Sequence, residues 1–450
     1  MQEPTTGRGT KHVILGTGPA GVIAAETIRK NAPDDEVLLI GDEADAPYSR
    51  MSIPQILSGH IGESGARLRR DADYFSRQRI ELRRGRVVQL SERPRVLHME
   101  DGSAIPFDKL LIATGARPRV PVIPGIDLPG VHACWTMDDA RRLLALAKPR
   151  ARAVLIGAGF IGCIVMEALA TRGVHMTVIE KRDTMLPNML GKTAGDMVRR
   201  WCERKGMQVL TDTRVKAIGL VEGWDPDSPK LVMLSDGRLL EADFVVYCAG
   251  ATPNIDFLRG SGVRCLQGVV VDACMQTSLP GVYAAGDCAE AYDEGAGRSV
   301  IAGVQPNAAD QAYCAALNMT GRQAFQRNVR HIDVVDTMGL ISSSFGQWEG
   351  IRTGQWVEYH DPVHFKYLRL EFGGDVLIGC SAVGITEYSG ILRSLIHHQV
   401  RLGEWKEGLM KNPLALKEVY RDCVQKQYIH QSSVFHTPSP SRASTDFHAM

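Results

Sequence analysis

One pattern constrains this chain more than any other: a short β-rich run, a GxGxxG turn, a helical stretch, a second β-rich run and an acid. It occurs twice. In the first copy Lys11 to Leu15 leads into Gly16-Thr17-Gly18-Pro19-Ala20-Gly21, a helix follows over Val22 to Lys30, and Val37 to Ile40 ends at Gly41-Asp42. In the second, Ala153 to Ile156 leads into Gly157-Ala158-Gly159-Phe160-Ile161-Gly162, a helix runs to about Arg172, and Met176 to Ile179 ends at Glu180. Glycine is needed in such a turn because a side chain would keep the backbone from a pyrophosphate, whose charge the free N–H groups of the helix start accept. A lone match is weak, but the flanking strand, helix and strand supply the context of a nucleotide unit. Two units about 140 residues apart in a chain of 450 predict two bound dinucleotides in an α/β protein of roughly two to four domains.

The duplication extends beyond the turns. Short strands at Arg86 to Leu90 and Val96 to Met99 precede the run Lys109 to Ile112, which enters Ala113-Thr114-Gly115; Phe244 to Tyr247 enters Cys248-Ala249-Gly250 in the same way. Past Gly286-Asp287 a helix is expected to open with Pro306 in its first turn and run through Leu317. Residues 330 to 425 read as a further small α+β domain, with strands Phe365 to Phe372 and Val376 to Ala382 and a helix Gly390 to His398, and 429–450 read as a disordered tail. The expected domains are 1–120 with 250–328, then 121–249, then 329–428.

Composition narrows the functional classes. A net charge of +1 gives no global preference for nucleic acid or an anionic membrane. The most apolar run, Ala153 to Met166, is shorter than the ~20 residues of a membrane span. The opening residues carry no apolar signal core, so the cytoplasm is the expected compartment. The ten cysteines have no clustered ligand spacing, and neither zinc nor an iron–sulfur cluster is expected in the chain.

An acid ending the second strand of a nucleotide unit can accept both ribose hydroxyls of an adenosine and repel a 2′-phosphate. Asp42, or its neighbour Glu43, has that place in the first unit and Glu180 in the second. Lys181 and Arg182 beside Glu180 are able to hold a phosphate, but NAD is preferred over NADP.

The order GTGPAG, ATGARP, GAGFIG, CAG and AAGDCAE resembles the two-dinucleotide flavin reductases of the pyridine nucleotide-disulfide reductase superfamily, which share the glutathione-reductase fold. The resemblance is to the branch of ferredoxin and rubredoxin reductases, NADH oxidases and the flavin domain of nitrite reductase. It implies two Rossmann-type domains and a small α+β C-terminal domain, with FAD on Gly16, Gly18, Pro19, Ala20 and Gly21 and NAD(H) on Gly157, Gly159, Phe160, Ile161 and Gly162. It further implies FAD contacts from the ATGARP stretch (Ala113, Thr114, Gly115, Arg117), Gly250, Gly286, Asp287 and the helix opening at Pro306, whose positive end would face the flavin pyrimidine. Pro47-Tyr48-Ser49-Arg50-Met51-Ser52-Ile53-Pro54-Gln55 resembles the flavin-lining PYxRxxL stretch, so Arg50 would reach the FAD diphosphate or ribose and Pro54 and Gln55 the isoalloxazine.

Three departures sharpen that reading. No cysteine precedes Cys134, and Met51 stands where a peroxidase-type cysteine would be, which removes disulfide and sulfenate chemistry. A lysine and a glutamate that pair in many relatives are replaced by Gln55 and Ile164, placing both at the hydride-transfer site without charge. With no internal acceptor, electrons must leave for a ferredoxin-like or other iron–sulfur protein, for oxygen or for a quinone. The expected protein is thus an FAD-dependent NADH:acceptor oxidoreductase, an oligomer or a subunit of a larger redox complex; the rivals are a peroxide-forming NADH oxidase and an FAD-bearing scaffold subunit. From Arg67 to Arg95 ten arginines face four acids, a possible steering surface for an acidic carrier or a solvated face with local partners.

Overall fold

Lys11–Leu15 forms a strand because its apolar side chains are all taken up: Val13 and Ile14 are wholly buried and Leu15 nearly so. Such a run has no polar face to offer solvent, as befits the centre of a parallel sheet. The computed structural model describes residues 9–221, 228–293, 297–326 and 332–422; the expected tail 429–450 lies outside the described residues. The central strand pairs in parallel with Glu36–Gly41 and Lys109–Ile112, and the sheet continues to Ile80–Arg84 on one side and Val282–Ala284 on the other. The second copy repeats the plan: Arg152–Ile156 lies between His175–Ile179 and Phe244–Tyr247, with Gln208–Leu210 and Val131–Ala133 at the edges, all parallel.

Each unit carries a three-stranded antiparallel meander before its fourth strand. Val87–Ser91, Val96–Met99 and Ala104–Pro106 make the first, and Val215–Leu220, Lys230–Leu234 and Leu239–Ala242 the second. The chain passes between the units through a two-stranded ribbon in which Ala116–Pro118 runs antiparallel to Ala251–Pro253. Five antiparallel strands follow, in the order Ile332–Thr337, Leu340–Gly346, Val376–Val383, Lys366–Gly373, Gln355–Asp361. One face of this sheet packs under the helices Ser389–His397 and Trp405–Lys411. From the other, Val335, Leu340, Tyr367 and Val383 join the core of the second nucleotide unit.

The segment after the first acid crosses a boundary that sequence order does not suggest. Tyr48, Ile53, Ile56, Leu57 and Ala66 bury their side chains in the core of the second unit, beside Met137, Leu143, Val165 and Met166. The short helix Ile53–Ser58 lies on both Met137–Leu146 and Phe160–Thr171. Among the described residues no helix is long and apolar enough to cross a membrane.

Candidate active site between two nucleotide turns

The six motif glycines divide into two kinds. Gly16 has φ +115°, and a Cβ there would lie 2.0 Å from the Ala113 carbonyl oxygen; one at Gly21 would lie 1.8 Å from the Gly16 oxygen. Gly157 (φ +105°) and Gly162 repeat this, at 2.5 Å from the Cys248 oxygen and 2.1 Å from the Gly157 oxygen. These four make the turn and the close strand–helix packing. Gly18 and Gly159 are different: a Cβ on either would meet nothing within 4 Å. Both are N-caps without a side-chain hydrogen bond, ahead of the helices Pro19–Asn31 and Phe160–Thr171. Each turn therefore presents uncapped helix-start amides to open space, an arrangement that fits a diphosphate.

The acids are not equivalent. Pairing of Leu15 with Ile40 and of Ile156 with Ile179 puts Gly41 in the place of Glu180. A Cβ at Gly41 would be 2.6 Å from Thr17 Oγ1, so the first unit cannot hold an acid there and its exposed Asp42 comes one residue later. In the second unit Ala158 replaces Thr17 and leaves room for Glu180. That carboxylate is only 5% exposed and accepts from the Ala158 N–H at 2.8 Å and the Arg182 N–H at 2.9 Å. It stiffens the turn that it borders. Lys181 and Arg182 are both exposed.

The Pro47–Gln55 segment is brought beside the first turn, but Arg50 does not stand open. Its Nη2 donates to Glu43 Oε1 at 2.6 Å and its Nη1 to the Ala116 oxygen at 3.2 Å, with the guanidinium 5.8 Å from the centre of the Trp135 ring. Tyr48 donates its hydroxyl to Glu43 at 2.6 Å and accepts from the Met137 N–H at 3.1 Å. Glu43 is thus enclosed by two donors, leaving Asp42 as the exposed acid of this unit. Ser49 donates to Gln305 Oε1 at 2.8 Å, tying the segment to the helix Gln305–Met319, which has Pro306 in its first turn and no side-chain cap. Burial raises the Asp287 carboxyl, and the nearby Arg50 charge offsets only part of that rise. Gly286 (φ +81°) packs between Ala20 and Ala308, and its N–H donates to buried Gln311 at 2.9 Å. Arg50, Asp287, Pro306 and the first turn therefore converge.

Other candidates sit at the ribbon between the units. Thr114 Oγ1 donates to the Asn254 oxygen at 2.8 Å, and Gly115 accepts from the Asn254 N–H at 2.9 Å. Arg117 is exposed and held by Asp256 at 2.6 Å and Asn254 at 3.1 Å. Gly250 (φ +104°) accepts from Arg119 N–H at 2.8 Å with open space where its side chain would be. Gln55 and Ile164 lie on the two facing helices, Ile53–Ser58 and Phe160–Thr171, and Ala113, just past the first sheet's Lys109–Ile112 strand, backs the Gly16 turn.

Two further expectations meet their surroundings here. The nine described cysteines are unpaired, and burial raises every one of these thiols, Cys202 and Cys248 to about 12 and Cys314 to about 11. Six are buried and Cys248, Cys265 and Cys274 half-buried, and thiols raised in this way are poor nucleophiles. In the arginine run, Arg69 pairs with Glu26, Arg77 with Asp71 and Asp73, and Arg83 with Ser103 and Asp101. Arg79 and Arg95 spend their guanidiniums on backbone carbonyls. Three of the ten arginines thus meet carboxylates.

The architecture has known counterparts. A family model described as pyridine nucleotide-disulphide oxidoreductase matches residues 10–315. The chain belongs to this family. It is an FAD-dependent NAD(H) oxidoreductase by that membership, and its cofactors are FAD and NAD(H). It is 29% identical over 413 residues to the epsilon subunit of NADH-dependent phenylglyoxylate dehydrogenase from Aromatoleum evansii, covering 90% of this chain and 96% of the relative. Rhodocoxin reductase of Rhodococcus erythropolis is 33% identical over 319 residues, 70% of this chain and 75% of the relative. The putidaredoxin reductase–putidaredoxin complex superposes with a TM-score of 0.85 over 93% of this chain and 99% of that one; at 23% identity it speaks to the fold alone.

Sequence reasoning named Tyr48 only as part of a motif and did not reach Arg141, Asp45, Glu63 or Trp135. Nothing in their spacing marks them, because their partners lie up to 96 residues away.

Proposed function

We propose that this chain carries electrons from NADH through FAD to an external one-electron protein carrier of the ferredoxin type, as a reductase component or as the flavin subunit of a larger redox complex. The observation that carries the reading is the pair of open, uncapped turns at Gly18 and Gly159, together with a Pro47–Gln55 segment that bears no thiol. Two cradles without a side-chain acceptor between them suit a relay. Relatives whose names carry NADH dependence or a reductase role, one along nearly its full length, support it.

In this reading Gly16, Gly18, Pro19, Ala20, Gly21 and Asp42 hold the FAD diphosphate and ribose, with Asp287, Gly286 and the Pro306 helix start toward its flavin end. Gly157, Gly159, Phe160, Ile161, Gly162 and Glu180 hold NADH. Residues 1–120 with 250–328, 121–249 and 329–428 form the FAD, NAD and C-terminal domains. Bound FAD supplies a ring that takes a hydride from the nicotinamide and passes electrons on singly. The chain's own share is orientation: Pro54, Gln55 and Ile164 shape the contact without charge, so alignment rather than acid–base chemistry sets the rate. Glu43, itself held by Tyr48, holds Arg50, whose charge moderates the half-buried Asp287. The cytoplasm and an oligomeric or multi-subunit state complete the proposal.

Anaerobic mixing of the FAD-loaded protein with NADH tests it: the flavin absorbance bleaches, and added ferredoxin is reduced faster than oxygen in air. Failure to bleach would leave a scaffold role for a chain whose Gln55 and Ile164 carry no charge. Oxygen turnover that outpaces every iron–sulfur acceptor tried would make it an oxidase.

A further inference from the structure

The helix Met137–Leu146 follows the edge strand Val131–Ala133 of the second nucleotide unit and is stopped from fraying by a capping box, Thr136 with Asp139. Its outward face carries Arg141. That guanidinium reaches two carboxylates from the other unit: Nη2 and Nη1 donate to Asp45 at 2.6 and 3.2 Å, and Nε and Nη2 donate to Glu63 at 3.0 and 2.8 Å. Asp45 and Glu63 bracket the Pro47–Ser58 stretch. One side chain of the nicotinamide unit therefore grips both ends of the segment that carries Pro54 and Gln55.

Between those ends lie single contacts, the Met137 N–H on the Tyr48 hydroxyl at 3.1 Å and Arg50 at 5.8 Å from the centre of the Trp135 ring, and a mainly apolar surface. Ile53, Ile56 and Leu57 make apolar contact with the second unit, and Arg172 reaches the Leu57 oxygen at 3.3 Å. Apolar contact of this sort allows sliding, whereas a bidentate guanidinium–carboxylate pair fixes direction. Gln55 and Ile164 are uncharged, so no charge attraction sets the register of the facing helices at that point. Arg141 is 42% exposed, Asp45 25% and Glu63 48%, so the net stability the cluster supplies is small.

We propose that Arg141 is a positioning residue for hydride transfer: by joining Asp45 to Glu63 it holds the Pro47–Ser58 segment in one register against the nicotinamide unit. This rests on the relay function above. Alignment to a fraction of an ångström governs such transfers, and a small misplacement costs rate with little change in binding.

The test uses full-length, FAD-loaded protein with Arg141→Met and Arg141→Lys. Rapid anaerobic mixing with NADH separates the limiting rate of flavin bleaching from the NADH dissociation constant, and amide hydrogen exchange is followed over residues 44–63. For Arg141→Met the limiting rate falls about tenfold, NADH affinity and FAD content stay within about twofold of wild type, and exchange across 44–63 quickens. Arg141→Lys recovers part of both changes. Raising salt from about 0.05 to about 1 M slows the wild type toward the Met variant, which itself responds little. An unchanged limiting rate, or a loss matched by loss of FAD, overturns the proposal, as does exchange identical to wild type. If wild-type flavin is not bleached by NADH at all, the relay function fails instead, and the exchange comparison still decides whether Arg141 holds the segment.

Discussion

The two kinds of motif glycine make opposite predictions. Gly16→Ala and Gly162→Ala each drive a Cβ to about 2 Å from a carbonyl oxygen, so they are expected to cost about 3 kcal/mol or more in denaturant unfolding of the FAD-free chain. At Gly159 an added Cβ meets no protein atom within 4 Å, so Gly159→Ala should leave that unfolding free energy within about 0.5 kcal/mol, while NADH affinity drops about tenfold with FAD retained. Glu180→Ala strips an acceptor from the Ala158 and Arg182 amides and removes a barrier to a 2′-phosphate; kcat/KM for NADH should fall about 10- to 100-fold and the NADPH/NADH ratio rise. Asp287 adds a pH signature. Burial raises its carboxyl above the usual carboxylate range, so the folded chain keeps that proton to higher pH than the unfolded one. Its contribution to stability is full below the unfolded value and lost as pH rises through the folded one. Calorimetry of FAD-free Asp287→Asn should show Tm raised by about 2 °C at neutral pH, the gain vanishing in acid.

At the scale of elements the sequence pattern proved legible where burial is one-sided or complete. Lys11–Leu15, Val96–Met99, Lys109–Ile112 and Phe244–Tyr247 have the bounds the apolar runs suggest. Helix starts were less so: the first begins at Pro19, not Val22, because proline loses nothing at a position whose N–H has no intrahelical partner. The helix Gln305–Met319 starts at Gln305 and presents uncapped amides next to Ser49. A carboxylate at that end opposes added negative charge on a neighbouring ring. Gln305→Glu should therefore lower the flavin midpoint potential by about 20 mV, read by spectroelectrochemical titration, with an unchanged or raised potential counting against the helix facing the flavin.

For the molecule as a whole, the C-terminal sheet is joined to the second nucleotide unit through Trp201, whose ring meets Phe365 edge-on at 5.1 Å and whose Nε1 donates to the Met338 oxygen at 3.2 Å, with Arg204 over Phe365 at 4.7 Å. Trp201→Ala should cost about 2 kcal/mol and split a single denaturant transition into two, seen by fluorescence and circular dichroism. The same long-range packing explains what sequence reading missed. Local pattern by itself determined the two nucleotide units, their glycine turns, the acid Glu180 and the missing thiols before Cys134, because backbone φ, strand burial and helix-start amides depend on neighbours within a few residues. Only the tertiary structure decided that Asp42 rather than Glu43 is the exposed acid, that Arg50 is held by Glu43, and that Tyr48 to Ala66 packs into the core of the other unit under the grip of Arg141. Those facts turn on which side chains meet across many tens of residues, and loop closure at that distance leaves no periodicity in the chain to read.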